Sequence, residues 1–301
     1  MFRMKPFWLG ALAVFALSGH FTPARAQQDF SKVEIETIKL TDTLYMLRGA
    51  GGNIGVSAGE DGVYLIDDQY APLTDKILAA VKAISDKPIR FVVNTHWHGD
   101  HTGGNENFGK GGAVIMAHDA VRVRMEKGQE MPFFDSTIPP APKDALPDIT
   151  YSGTATLYMN GEAARLIHVA PAHTDGDTLI HWPESNVIHV GDTFFNGLYP
   201  FVDSWSGGAV DGMIAAVDTV LDLANEKTKI IPGHGPLATK ADLVQFREML
   251  VTVRDRATAA KAAGKSAEDW AAEKPLADLE ADWAGGFLTT DQFIKSVFAG
   301  L

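Results

Sequence analysis

Residues 33–48 alternate polar and apolar positions on either side of Thr41-Asp42-Thr43, the pattern of two strands joined by a turn. Residues 62–67 read as a further strand. Over 72–85, Leu73, Ile77, Val81 and Ile84 fall at helical spacing. Ile89-Arg90-Phe91-Val92-Val93 is a short apolar run of the kind found in buried strands. Residues 113–116, 165–169, 178–182 and 187–190 supply four more strand patterns, and Ile230-Ile231 a last short one. Val210, Ile214, Val217, Leu221 and Ala224 make one helical stripe, and from Lys240 onward the pattern stays helical to the end. Ser266 with Asp269, and Thr289 with Gln292, have the spacing of capping boxes. Residues 131–147 contain Pro132, Pro139, Pro140, Pro142 and Pro147 and predict an irregular, functional loop. Strands interleaved with helices predict an α/β layered fold.

The first residues follow a different rule. Arg3 and Lys5 precede an apolar run over 7–17, and Ala24-Arg25-Ala26 supplies the small-residue cleavage pattern. That run is too short for a membrane span, so 1–26 reads as a secretory signal peptide and 27–301 as one domain, with 237–301 mostly helical. The expected location is the bacterial periplasm. Cleavage removes three basic and no acidic residues, taking the formal charge from −12 to −15. Such a surface argues against nucleic acid and against stable membrane association, leaving a small-molecule substrate as the expected partner. The pattern specifies no oligomeric state. With no cysteine in the chain, any metal must be held by nitrogen and oxygen.

Directly after the strand at 89–93 comes Asn94-Thr95-His96-Trp97-His98-Gly99-Asp100-His101. Its glycine content argues against a regular helix. In extended backbone, residues two apart point the same way, so His96 and His98 converge on one ion. Asp100 and His101 diverge and reach a second ion close by. Imidazole with carboxylate suits Zn²⁺ rather than an all-oxygen ion. His118, His181 and His189 read as structural histidines, and Asp67 and Asp68 as carboxylates able to orient ligand imidazoles. Gly103 and Gly104 predict close backbone passage beneath the metals.

His96-x-His98-x-Asp100-His101 resembles the signature of the metallo-β-lactamase superfamily, whose members fold as an αββα sandwich. Three later segments match that family's remaining ligand motifs: 172–177 around His173, 190–193 around Asp192, and 231–236 around His234. Carried over, the resemblance implies two Zn²⁺ per chain. His96, His98 and His173 would hold the first, Asp100, His101 and His234 the second, with Asp192 between them. It also implies hydrolysis by a metal-activated hydroxide at a carbonyl, with Asp100 orienting the hydroxide and passing on its proton. No serine triad or G-x-S-x-G elbow is present.

Asp192 stands where zinc β-lactamases with this ligand set usually carry cysteine, and residues 193–210 contain no Lys or Arg to meet an antibiotic carboxylate. They contain Phe194, Phe195, Asn196, Tyr199, Phe201 and Trp205 instead, which with Trp97 are expected to line a pocket. Asn196 is a candidate oxyanion donor by position. Glyoxalase II, with its basic recognition residues, fits an exported acidic chain less well, and the RNA-processing members' basic exosite is missing. Retention of the second-site ligands sets the chain apart from the one-iron sulfur dioxygenases. The resemblance thus implies β-lactam hydrolysis first, and lactone, ester or thioester hydrolysis as the alternative. A non-catalytic zinc-binding scaffold is disfavoured because all seven ligands are intact.

Overall fold

The computed structural model describes residues 29–301; the expected leader, 1–26, lies outside them. Strands β1 (Glu36–Lys39) and β2 (Leu44–Arg48) form the predicted hairpin, with Glu36 opposite Arg48. β3 (Ile54–Gly59) and β4 (Gly62–Ile66) add a second hairpin. Helix α1 (Thr74–Ile84) then leads to β5 (Ile89–Val93). A single helical turn, α2 (Gly99–Thr102), and α3 (Asn105–Lys110) precede β6 (Val114–His118) and α4 (Asp119–Lys127). A small hairpin, β7 (Gln129–Met131) with β8 (Ser136–Ile138), precedes β9 (Ile149–Tyr151). The first sheet runs β1-β2-β3-β4-β5-β6-β9, with β4, β5, β6 and β9 parallel.

The second sheet runs β10 (Thr154–Met159), β11 (Glu162–His168), β12 (Thr178–Trp182), β13 (Val187–His189) and β14 (Lys229–Ile231). Its last two strands are parallel and joined through α5 (Val210–Leu223). Four helices complete the chain: α6 (Lys240–Ala262), α7 (Ala267–Ala272), α8 (Glu280–Trp283) and α9 (Thr290–Ala299).

The side-chain period of two sorts these strands into layers. On β4, Val63 and Leu65 pack with Leu73, Ile77 and Val81 under α1, whereas Tyr64 and Ile66 face the second sheet. On β12, Ile180 and Trp182 meet that same inner layer, and Leu179 turns outward to the core shared with α5, α6 and α9. The order is helix, sheet, sheet, helix, the αββα arrangement expected from the sequence. Two side-chain hydrogen bonds cross the inner layer: Trp182 Nε1–H donates to the Tyr64 hydroxyl at 2.7 Å, and the Tyr151 hydroxyl donates to Thr178 Oγ1 at 3.1 Å.

Three expectations change in detail. The helical tail is four helices, broken after α6 by Gly264 (φ +77°) and before α8 by Lys274 (φ +53°) and Pro275. The Thr289–Gln292 capping box forms in full; Ser266 caps α7 by accepting the Asp269 N–H. Residues 131–147 are partly regular, because Ser136–Ile138 pairs back onto Gln129–Met131. Among the described residues no helix is long and apolar enough to cross a membrane.

Candidate metal centre

The functional side chains sit on the loops that leave the strand ends, where parallel strands in both sheets deliver the chain to one edge. After β5 the chain bends through residues 95–97 to His98, whose own backbone is extended and which caps α2 (φ −62°, ψ 146°). The expectation that this segment is non-helical therefore holds through His98 and fails after it. Thr102 Oγ1–H donates to the carbonyls of Trp97 and His98 and closes the turn. Asn94 and Asn105 brace it from below by exchanging side-chain hydrogen bonds at 3.0 and 2.8 Å.

Asp67, just past β4, organises the ligand imidazoles. Its left-handed backbone (φ +64°) turns the carboxylate inward, where it accepts from Thr95 N–H (2.7 Å), Thr95 Oγ1–H (2.8 Å) and His101 Nδ1–H (2.7 Å). Since the Thr95 hydroxyl gives its proton to Asp67, its oxygen accepts from His96 Nδ1–H at 3.0 Å. Both imidazoles are thereby held at Nδ1, which turns each Nε2 towards the cluster. Asp68 instead accepts from the Gly104 N–H at 2.8 Å and touches no ligand side chain. Gly103 and Gly104 are needed here: a Cβ on Gly103 would lie 2.7 Å from the Gln69 carbonyl, so the loop passes close as expected.

The second half supplies the opposite wall. His173 Nδ1–H donates to the Phe201 carbonyl at 2.7 Å, leaving Nε2 2.8 Å from His98 Nδ1. The far nitrogen of His98 meets Asp203 at 3.0 Å. Asp203 is a buried orienting carboxylate that sequence reading missed, because nothing local links positions 98 and 203. Asn53 was missed as well; its Nδ2 binds the carbonyls of Pro232 and Gly235 and fixes the turn that carries His234. A Cβ on Gly233 would fall 2.0 Å from Asp192 Oδ1, so only glycine leaves Asp192 its place.

All seven sequence-predicted ligands come together. One donor atom each from His96, His98, His173 and Asp192 lies within 4.8 Å of the others, and Asp100, His101 and His234 form a second such group. Asp192 faces both, with Oδ1 3.0 Å from His101 Nε2 and Oδ2 3.3, 3.5 and 3.8 Å from Nε2 of His234, His173 and His96.

Charge in the cluster follows from burial and pairing. Burial pushes His173 down to about 4 and, with the neighbouring His101, holds His96 well below the usual imidazole range. Those rings are neutral with a lone pair available, the form a metal requires. Burial also works against charge on His234, but Asp192 and Asp100 outweigh it and raise it to about 9. Burial alone would raise Asp192; the imidazoles of His234, His101 and His96 pull it well below the carboxylate range instead. The residues fit zinc on one further count. His96 Nε2 is buried without any hydrogen-bond partner and is aimed into the cluster, an arrangement that is expensive unless a cation satisfies it.

Beside the cluster opens a cavity of about 840 Å³ whose wall includes Asp100, Asp192 and His234. Trp97 and Phe201 line it as expected. The other pocket candidates do not. Phe194 is fully buried against Phe246 of α6, and Tyr199 stacks on Phe293 of α9 at 4.4 Å. Phe195 stacks on His234 (5.0 Å, 16°) and supports that ring from behind. Asn196 is absent from the cavity wall, and its side-chain amide donates to the Pro236 carbonyl. Trp205 packs against Phe133 at the surface. Much of the remaining wall comes from residues 124–145 and from Phe287 between α8 and α9, with Tyr70, Thr102 and Glu106 on the side of the first sheet's loops. His189 is structural as expected, with its Nε2–H on the Asn53 carbonyl.

Comparison with known proteins agrees with this geometry. A family model described as the metallo-beta-lactamase superfamily matches residues 47–234. A hydroxyacylglutathione hydrolase of Anaeromyxobacter dehalogenans is 32% identical over 124 residues, 40% of this chain and 38% of its own length. The chain spans less than half the length of the curated relatives it matches. Among solved structures, a metallo-beta-lactamase from Pontibacter korlensis superposes with a TM-score of 0.60 at 16% identity, covering 72% of this chain and 99% of its own. A stereoselective inverting sec-alkylsulfatase from a Pseudomonas species gives 0.66 at 18%, covering 88% of this chain and 50% of its own. These two likenesses concern the fold. On the family match and its span, this chain belongs to the metallo-beta-lactamase superfamily.

Proposed function

We propose that the protein is an exported, periplasmic dinuclear zinc hydrolase that opens a carbonyl compound, a lactone, ester or thioester. The observation that carries the metal centre is the convergence of seven donors in two adjoining groups, with His96 Nε2 left without a protein partner. His96, His98, His173 and Asp192 would hold one ion, and Asp100, His101 and His234 the other, with Asp192 facing both. Bound there, zinc supplies Lewis-acid polarisation of the carbonyl and acidification of water towards neutrality. Asp100 Oδ2, on the cavity wall 3.3 Å from His234 Nε2, is placed to accept a proton and return it to the leaving group. Overall, water adds to the acyl carbon, the acyl–oxygen or acyl–sulfur bond breaks, and the proton leaves on the alcohol or thiol. Trp97 and Phe201 supply apolar wall beside the cluster.

Lactone, ester or thioester stands ahead of β-lactam because of one cation. Among the described residues, those lining the cavity include a single Lys or Arg, Arg124. Its Nε and Nη2 donate to both oxygens of Asp175 (2.7 and 2.6 Å) and its Nη1 to Gln129 (2.6 Å), so it does not await a substrate carboxylate. The β-lactam reading remains second, favoured by the signal-like sequence at 1–26, since such antibiotics act in the periplasm. The test is zinc titration of the stripped protein, followed by turnover of lactone, ester, thioester, penicillin, cephalosporin and carbapenem panels. Two zinc ions per chain with acyl-ester or lactone rates above all β-lactam rates is the expected result. Fewer than one zinc per chain with no hydrolysis would indicate a scaffold, and dominant β-lactam rates would restore the second reading.

A further inference from the structure

The lining of the cavity says more about the substrate than the metal ligands do. Beyond Asp100, Asp192 and the imidazoles, its wall is mostly apolar, with Trp97 and Phe201, Met125, Met131 and Phe134, and prolines of the 139–142 segment; Tyr70, Thr102, Glu106, Arg124 and Ser136 are its polar members. At the mouth stand Ile138, on the β7–β8 hairpin, and Phe287, on the α8–α9 loop. Both are large apolar side chains left 41% and 57% exposed. Exposed apolar side chains at the rim of a deep pocket mark a binding surface rather than a packing accident. Charge at the wall is negative or neutralised, since Glu106 is the remaining carboxylate and Arg124 is committed to Asp175 and Gln129. An anionic tail would be desolvated here without a partner, whereas an uncharged hydrocarbon tail gains from every methylene it buries.

We propose that the substrate is an uncharged acyl compound with an extended apolar chain, held along the 125–142 wall and leaving between Ile138 and Phe287. This rests on the hydrolase reading above and adds the class of chain to it. The C-terminal helices then have a part in recognition, because the loop between α8 and α9 delivers Phe287 to the mouth.

The experiment separates chain binding from chemistry. Neutral 2-alkanones of increasing length, which are not hydrolysed, are titrated calorimetrically into the zinc-loaded full chain. Turnover of p-nitrophenyl esters from acetate to decanoate is measured in parallel. Affinity should improve about fourfold per methylene, the equivalent of about 0.8 kcal/mol for each buried CH₂, until the chain clears the mouth. Adding a terminal carboxylate at constant length should weaken binding at least tenfold. Ile138→Asp and Phe287→Asp, both at exposed positions that leave folding intact, should cut affinity for the longest members about tenfold and flatten the upper end of the series. Ile138→Lys should recover binding of the carboxylate-tailed probes. A flat series in both binding and turnover, or a preference of the unmodified protein for carboxylate tails, overturns the proposal. Chain-dependent binding without turnover of any ester, lactone or thioester would instead remove the hydrolase reading and leave only the apolar-chain site standing.

Discussion

Asp67→Asn tests how the ligand imidazoles are set. Asparagine tolerates the left-handed backbone at this position (φ +64°), so the change is confined to the head group. The native carboxylate accepts on both oxygens: Oδ1 from Thr95 N–H, Oδ2 from the Thr95 hydroxyl and His101 Nδ1–H. An amide has one acceptor. With its oxygen towards His101, its NH₂ meets the Thr95 N–H across 2.7 Å, donor against donor. With the amide reversed, His101 must accept at Nδ1, and its proton moves to Nε2, the atom facing Asp192. Thr95 then also loses its proton acceptor, freeing it to donate to His96 Nδ1 and shift that ring's proton to Nε2. Either arrangement forfeits one charge-assisted hydrogen bond, about 1.5–3 kcal/mol. If the loss falls on the metal-competent tautomer, zinc affinity drops about tenfold to hundredfold. Competition against a calibrated chelator reads the affinity, and ¹⁵N chemical shifts read the tautomers. A folded variant with zinc affinity within twofold of the parent and unchanged imidazole shifts would refute the role given to Asp67.

Other consequences can be checked singly. His96→Ala and Asp192→Ala should abolish turnover while the protein stays folded by circular dichroism; near-parental rates in either would refute the dinuclear assignment. The Tyr64 hydroxyl, pushed up to about 12 by burial, should make stability fall once pH passes the unfolded value near 10, because only the unfolded chain then releases the proton. Between pH 10 and 11 the loss is about 1 kcal/mol, absent in Tyr64→Phe, so parallel urea curves for the two proteins across that interval would contradict it. Arg124→Met unpairs Asp175 and Gln129 and should lower stability by about 1–3 kcal/mol, with faster proteolysis within residues 129–138. Unchanged cleavage rates would show that the hairpin does not depend on this anchor.

What was legible in the sequence lay in short local segments. His96, His98, Asp100 and His101 declare themselves because they crowd one short turn, whereas His173, Asp192 and His234 were legible only because their short segments resemble the family's ligand motifs. Residues that act across the fold leave no such trace: Asp203 meets His98 from 105 positions away, and Asn53 holds the His234 turn from the other half of the chain. The aromatic run after Asp192 misled because proximity to a ligand does not fix orientation; the α6 and α9 helices claim Phe194 and Tyr199 for their core. Strand β3 escaped the alternation test because it is buried on both faces. Strand β10 could have been found from Asn160-Gly161, whose φ values of 56° and 82° are those of the tight turn this dipeptide favours.

The Trp182–Tyr64 hydrogen bond gives the two halves a common datum. Apolar layers resist separation but slide easily, since their attraction has no preferred register. A directional bond buried at the centre of the interface supplies one, and Asn53 supplies another at the rim. The first sheet carries His96, His98, Asp100 and His101 to the centre, and the second carries His173, Asp192 and His234. Every distance between these two sets is therefore a measure of sheet alignment. The metal centre is in this sense a gauge of the sandwich, since its ligands are drawn from both sheets.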